Sequence, residues 1–154
     1  MPSLDPPVIL PLEREDLPRL MPIERAGHVY PWSERVFQDC WQSGYYLDGA
    51  FRANDLLGFS VVMPVLDEWH LLNLCVSPRV QRQGIGRSLL AYLLDQAEKA
   101  GVGSVWLEVR QSNDPAQQLY AAHGFEQVGR RRDYYPAPGG REDALVLTRR
   151  LQAG

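Results

Sequence analysis

Between an apolar strand ending at Val76 and a long amphipathic run, the segment VSPRVQRQGIGRSLL sets Gly84 and Gly86 among Arg79, Arg82 and Arg87. A glycine turn that opens a helix presents first-turn amides without intrahelical partners. The positive end of the macrodipole adds to them, so the feature attracts an anion. Glycine lets backbone approach such a ligand with no Cβ between them, and guanidinium groups match phosphate oxygens in fork geometry. The guest these residues fit best is a pyrophosphate. Two familiar phosphate loops do not match: the triphosphate loop ends in Gly-Lys-Ser/Thr where Arg87 and Ser88 follow Gly86, and the dinucleotide fingerprint wants a third glycine where this chain has Leu89.

A second set of candidate residues lies downstream. In VWLEVR, period-two alternation puts Trp106, Glu108 and Arg110 on one strand face and Val105, Leu107 and Val109 on the other. Glu108 is then either a solvated charge paired with Arg110 or a neighbouring strand, or a carboxylate aimed at a ligand. Tyr120, in DPAQQLYAAHGF, is either a packed aromatic beside the core residues Leu119 and Phe125 or a proton donor with a pKa near 10. Cys40 and Cys75 have neither CxxC nor His-pair spacing, so no metal site and no disulfide framework is expected. Cys75 has no His nearby in sequence and sits in an apolar strand, where a thiol pKa rises, so it makes a poor nucleophile. His123 before Gly124 suits a helix end, and Arg130, Arg131 and Arg132 read as a solvated strand with phosphate contacts as a second option.

The elements that must position these groups follow from patterning. EDLPRLMPIERAG spaces Leu17, Leu20, Met21 and Ile23 as a helix, and PWSERVFQDCWQSG predicts another with Ser33 as cap and Gly44 as stop. YYLDGAFRAND, LLGFSVVMPVL and EWHLLNLCV predict a meander of three strands with turns at Asn54-Asp55 and Asp67-Glu68. After the helix that follows the glycine turn come SVWLEVRQ as a strand and DPAQQLYAAHG as a helix, with Asp114 capping, Pro115 at its first position and Gly124 ending it. FEQVGRRRDYYP and EDALVLTRRL predict two strands joined by the loop APGG, and VILPL a possible first strand. The order predicts an α/β fold: one mixed sheet with helices on its faces.

Composition narrows the class. The 154 residues, 45% apolar, support one core, so a single domain over 1–154 is expected. A net charge of −3 argues against a nucleic-acid binder and favours a basic partner. MPSLDPPVIL lacks the basic and apolar blocks of a targeting segment, and no run is long enough for a membrane span, so a cytoplasmic location is expected.

The pattern Gln81-x-x-Gly84-x-Gly86 after an apolar strand resembles the acetyl-coenzyme A loop of the GNAT N-acetyltransferase superfamily, and the element order is similar to that fold, a mostly antiparallel mixed sheet flanked by helices. A narrower resemblance covers PWSERVF, WLEVRQSNDPAQQLYAAHGFEQVGRRRDYYP and REDALVL. It points to the RimI group, which acetylates the N-terminal alanine of a small-subunit ribosomal protein. The resemblance implies Glu108 as general base, Tyr120 as general acid and Asn113 as a coenzyme contact. It also implies a coenzyme held by Leu74, Cys75 and Val76 at the strand edge and by Gln81, Arg82, Gln83, Gly84, Ile85, Gly86 and Arg87 at the loop, with acetyl-coenzyme A as cosubstrate and no metal. Direct transfer in a ternary complex is expected. A lysine or small-molecule acetyltransferase, or a coenzyme-binding regulator without transfer activity, are the alternatives.

Amine chemistry favours a protein N-terminus as acceptor. An α-amino group titrates near 7.7 to 8.0 and a lysine near 10.4, so freeing a lysine at neutral pH costs about 3.5 kcal/mol more. Asp67, Glu68, Glu142 and Asp143 are candidates for drawing in a basic peptide, and Tyr134 and Tyr135 for lining its groove.

Overall fold

The spacing of apolar residues produces the elements it predicts. The computed structural model describes residues 5–151 and orders them as β1 (Val8–Pro11), α1 (Leu17–Gly27), α2 (Glu34–Gln42), β2 (Tyr46–Arg52), β3 (Asp55–Val65), β4 (Glu68–Val76), α3 (Ile85–Lys99), β5 (Ser104–Arg110), α4 (Asp114–Ala122), β6 (Glu126–Ala137) and β7 (Gly140–Arg150). Short 3-10 turns precede α1 and follow β4. The strands form one seven-stranded mixed sheet in the order β1-β2-β3-β4-β5-β7-β6. Pairing is antiparallel for β1 with β2, β2 with β3, β5 with β7 and β6 with β7, and parallel for β4 with β5, from Glu68 opposite Ser104 to Leu71 opposite Leu107. Among the described residues no helix is long and apolar enough to cross a membrane.

Two compact units can be distinguished, one built from the chain up to Met63 together with Asn73–Leu93, the other from Pro64–Leu72 with the chain from Leu94 on. In the first, the helical spacing of α1 buries Leu17, Leu20, Met21 and Ile23 against Phe37 of α2 and Leu47, Phe59 and Val61 of the sheet. A second cluster in the same unit joins Ala50, Leu57, Val80, Ile85 and Leu89, so the start of α3 is anchored in apolar contacts. In the other unit β5 alternates as expected: Val105, Leu107 and Val109 are buried, while Trp106, Glu108 and Arg110 are only partly covered.

Some details depart from expectation. The turns fall one residue early, with Ala53 and Leu66 in the left-handed region (φ 56 and 52). Asn113, not Asp114, caps α4: its Oδ1 accepts the Ala116 amide at 3.2 Å. Both residue types cap well, and with Asn113 as the cap Pro115 falls at the second helical position, so the cap takes the amide of the third residue, Ala116. Leu119 is half-buried, and the core contribution of α4 comes from Tyr120.

Candidate active site

In the first unit, β4 delivers the chain to the glycine turn. A 3-10 turn over Pro78–Val80 is started by Ser77, whose Oγ accepts the Arg79 amide at 3.4 Å. Arg82 and Gly84 then take left-handed conformations (φ 66 and 78), and α3 begins at Ile85 with the Ser88 amide closing its first turn on Gly84 O at 2.9 Å. The Ile85 side chain is buried while Gln81, Arg82, Gln83, Gly84 and Arg87 are exposed, so the turn presents backbone and polar groups from an apolar footing. Arg79 is drawn aside into a fork with Asp55, at 3.0 Å and 3.3 Å, and Arg52 holds Gln83 Oε1 at 3.2 Å. Leu74 and Val76 are half-covered and Cys75 is buried, so a ligand on this edge would meet Cys75 only through its backbone. Gly58 of β3 lies tight against that edge: a Cβ there would stand 2.8 Å from Cys75 O and 3.3 Å from Val76 Cα.

In the second unit, Glu108 lines a cavity of about 260 Å³ together with Glu68, His70, Trp106, Arg131 and Val146. The Glu108 side chain is 28% exposed. Its Oε2 is shielded from solvent and meets the Arg131 Nε as an ion pair, without the alignment of a hydrogen bond. Of the two partners that the solvated-pair reading of Glu108 offered, Arg110 is excluded, because it pairs with Glu142 at 2.9 Å, and the charge comes from another strand, Arg131 of β6. Arg110 also donates to Pro136 O at 2.8 Å and lies over the Tyr135 ring at 4.5 Å, which ties β5 to the β6–β7 hairpin.

Tyr120 is 8% exposed and packs edge-on against Phe125, ring centres 5.7 Å apart. Burial, and then the neighbouring Tyr135, push its phenol well above the ordinary value near 10. Tyr135 is pushed up to about 12, by burial first and then by the charge of Glu108. These two phenols therefore stay protonated throughout the range in which an amine is acetylated. Asn113 sits at the head of α4 with its Oδ1 committed to the cap.

The structure sorts the remaining candidates. Of the four acids, Asp67 accepts the Gly103 amide at 3.0 Å, Glu142 holds Arg110 and the Ser112 amide, and Asp143 holds Arg130 at 2.8 Å and the Asp133 amide at 2.9 Å. Those contacts keep Glu142 and Asp143 below the usual carboxylate range, with hydrogen bonds to Ser112 and to Asp133 as the leading favourable causes. Glu68 alone of the four lines the cavity. The triple arginine of β6 is not simply solvated either, since Arg130 pairs with Asp143 and Arg131 with Glu108. His123 lies at the end of α4 with Nδ1 2.9 Å from Leu119 O, a structural position.

One cluster was invisible in the sequence. Glu24, His28 and Cys75 bring a carboxylate, an imidazole and a thiol within 4.8 Å of one another, in the range of metal ligands. The donors are already engaged. Glu24, 1% exposed, accepts the Trp32 amide at 2.8 Å and Asn73 Nδ2 at 2.9 Å, and Cys75 Sγ donates to Ile23 O at 3.4 Å. Burial and then Glu24 push the thiol up to about 12, so the fold does bring a histidine near Cys75 but leaves it a poor nucleophile. His70 and Arg131 were also missed as cavity residues. Alternation along β4 would have put His70 on the Trp106 face, whereas nothing local marks Arg131.

Known proteins share this fold and much of this sequence. The family model for the acetyltransferase (GNAT) family matches residues 12–125. The ribosomal protein bS18-alanine N-acetyltransferase of Escherichia coli K12 is 45% identical over 137 residues, 88% of this chain and 92% of that protein. The enzyme of the same name from Haemophilus influenzae is 39% identical over 141 residues, 91% of this chain and 96% of its own. The crystal structure of the ribosomal-protein-S18-alanine N-acetyltransferase from Escherichia coli superimposes with a TM-score of 0.91 at 42% identity, covering 96% of both chains. A family model that matches most of the chain and this extent of likeness lead to one statement: the chain belongs to the GNAT family of acetyltransferases.

Proposed function

We propose that this acetyltransferase moves the acetyl group of acetyl-coenzyme A to the α-amine of a protein N-terminus, the N-terminal alanine of ribosomal protein bS18. The observation that carries the reading is Glu108, a half-buried carboxylate on a cavity wall in a chain 45% identical to an enzyme named for that substrate. The coenzyme's pyrophosphate rests on the amides and guanidinium groups of residues 81–87. Its pantetheine follows the strand edge of residues 74–76, and Asn113 supplies a further contact. Glu108 takes a proton from the ammonium through water. The free amine attacks the thioester carbonyl and its nitrogen becomes positively charged; as the C–S bond breaks, the thiolate leaves with the electron pair, held by a hydrogen bond from the Tyr120 hydroxyl, and the nitrogen's excess proton passes through water to the sulfur, leaving the amide and the free thiol. No acyl-enzyme forms, in keeping with the buried, protonated Cys75. A single carboxylate suits an α-amine better than a lysine, because the α-amine gives up its proton near neutrality.

Mass spectrometry on acetyl-coenzyme A with two peptides tests this, one with a free N-terminal alanine and one N-terminally blocked with a free lysine. Acetylation of the first alone is expected. Transfer to the lysine alone would overturn the N-terminal assignment, and no transfer to either would favour a small-molecule acceptor or coenzyme sensing.

A further inference from the structure

We propose that Glu24, His28 and Cys75 form a binding site for a thiophilic divalent cation, zinc above all, which clamps the end of α1 to β4. A thiol, an imidazole nitrogen and a carboxylate oxygen lie within 4.8 Å of one another there, all in the first unit. Glu24 and His28 stand four apart at the end of α1, the spacing at which two side chains of a helix share a metal, and His28 Nε2 is 3.4 Å from Glu24 Oε1. Glycine at position 27 leaves room for the sulfur: a Cβ there would run into Cys75 Sγ. Bonds of about 2.0–2.3 Å set the donors around a tetrahedral zinc roughly 3.3–3.8 Å apart, so the cluster has about 1 Å to close. His28, just past the helix end and 38% exposed, supplies both that movement and a way in for the ion.

The charge balance calls for a cation. Glu24 is 1% exposed, yet no guanidinium or ammonium pairs with it among the described residues; its ion partner is His28, which is charged only when protonated. Buried carboxylates are as a rule paired or bound to a metal. When a divalent ion binds, an S–metal bond replaces the Cys75 S–H bond and the proton leaves to solvent. The ion's two positive charges then cancel the thiolate and the carboxylate, with His28 neutral. The hydrogen bonds now at the cluster allow this. Cys75 gives up a long contact to Ile23 O, at 3.4 Å. Glu24 keeps the Trp32 amide on Oε2 at 2.8 Å and Asn73 Nδ2 on Oε1 at 2.9 Å, the kind of bonds that orient a ligating carboxylate. The fourth position falls to water or to Asn73 Oδ1, 3.2 Å from His28 Nε2. Sulfur and nitrogen donors select zinc over magnesium and calcium, which take oxygen.

The test titrates zinc alone into untagged, chelator-stripped protein with neither substrate present, so its outcome does not depend on which amine is acetylated. By calorimetry the wild type should bind one ion per chain. Its melting temperature should rise by roughly 5–10 °C at zinc ~100-fold above Kd. His28→Ala and Cys75→Ala should each weaken binding by more than about 100-fold, beyond the cost of losing a hydrogen bond to a ligand. Cys40→Ala, which removes the other free thiol, should bind as the wild type does. Cobalt in place of zinc should add a thiolate charge-transfer band in the near ultraviolet, kept in Cys40→Ala and lost in Cys75→Ala. If Cys75→Ala does not fold, the band in the wild type and in Cys40→Ala decides the matter. No bound zinc, no cobalt band, or binding that survives both His28→Ala and Cys75→Ala would overturn the site.

Discussion

Replacing Tyr120 by Phe removes one hydroxyl and keeps the ring against Phe125. A thiolate of conjugate pKa about 8.5 is a poor match for a phenol whose burial raises it above 10, and complete proton transfer is uphill by more than ~2 kcal/mol. A hydrogen bond that stays on the phenol as negative charge builds on sulfur is the favoured role, worth about 1.5–3 kcal/mol, or roughly 10- to 150-fold in kcat. The sign with pH follows. The phenol keeps its proton at every pH below its raised value, so the interaction is intact at pH 7, 9 and 10 alike. Rapid-quench acetyl transfer, with coenzyme and peptide saturating, should rise as the acceptor amine deprotonates and then stay level to pH 10 in the wild type. Tyr120→Phe should lower that plateau without changing its shape. A descending limb near pH 9 to 10 that disappears in Tyr120→Phe would refute this account, because it would mean that the phenol titrates where burial forbids it.

Glu108→Gln should lower kcat by about 10²- to 10⁴-fold, the range for a lost general base, while calorimetry finds coenzyme affinity nearly unchanged. Burial raises Asp48 of β2 to about 6, so the native state holds this proton more tightly than the unfolded chain and stability falls as pH rises from about 4 to 6. At 1.36 kcal/mol per unit, a shift of about two units is at most about 3 kcal/mol, and solvent screening of the partly exposed group reduces it to about 1–2. Urea unfolding should therefore find Asp48→Asn more stable by that amount at pH 8 and little changed at pH 4. Gly84→Ala meets no neighbour, but it forces alanine to φ 78 at about 1–2 kcal/mol, so melting temperature should drop by a few degrees and calorimetry should show weaker coenzyme binding. Intact-protein mass spectra after acetyl-coenzyme A alone should show no acetyl group on Cys75, whose thiol is pushed up to about 12; a stoichiometric adduct there would reinstate an acyl-enzyme.

What could be read from the sequence is what local chemistry determines. The glycine turn, the alternation that exposes Glu108 and the Gly44 and Gly124 stops each depend on residues a few positions apart, and the fold keeps them. Pairings set by strand order were hidden. Arg131 reaches Glu108 only because β6 follows β7 in the sheet, and the acids expected at an entrance found arginines and amides that no spacing announces. Cys75 had no histidine near it in sequence, yet α1 supplies His28 from 47 positions away. The cap of α4 was misassigned on a finer scale: Asn113 and Asp114 are adjacent and equally suited as caps, so residue type does not choose between them.

The two ends of the strand order bear on a different problem, how the chain avoids templating its own aggregation. An edge strand offers unpaired amides and carbonyls to any other extended chain. β1 is short, four residues, and ends in Pro11, which has no amide to offer. β6 is long, twelve residues, but its register is broken between Gln127 and Gly129 and again between Arg131 and Tyr135; it also carries Arg130, Arg131 and Arg132 in a row and has Pro136 near its end. The bulges spoil the straight ladder a second copy would need, and the guanidinium groups set like charges opposite one another if it tried. Arg131 thus belongs both to the cavity wall and to the charged edge strand, so a β-branched residue in its place should disturb the cavity and leave a less charged edge at once.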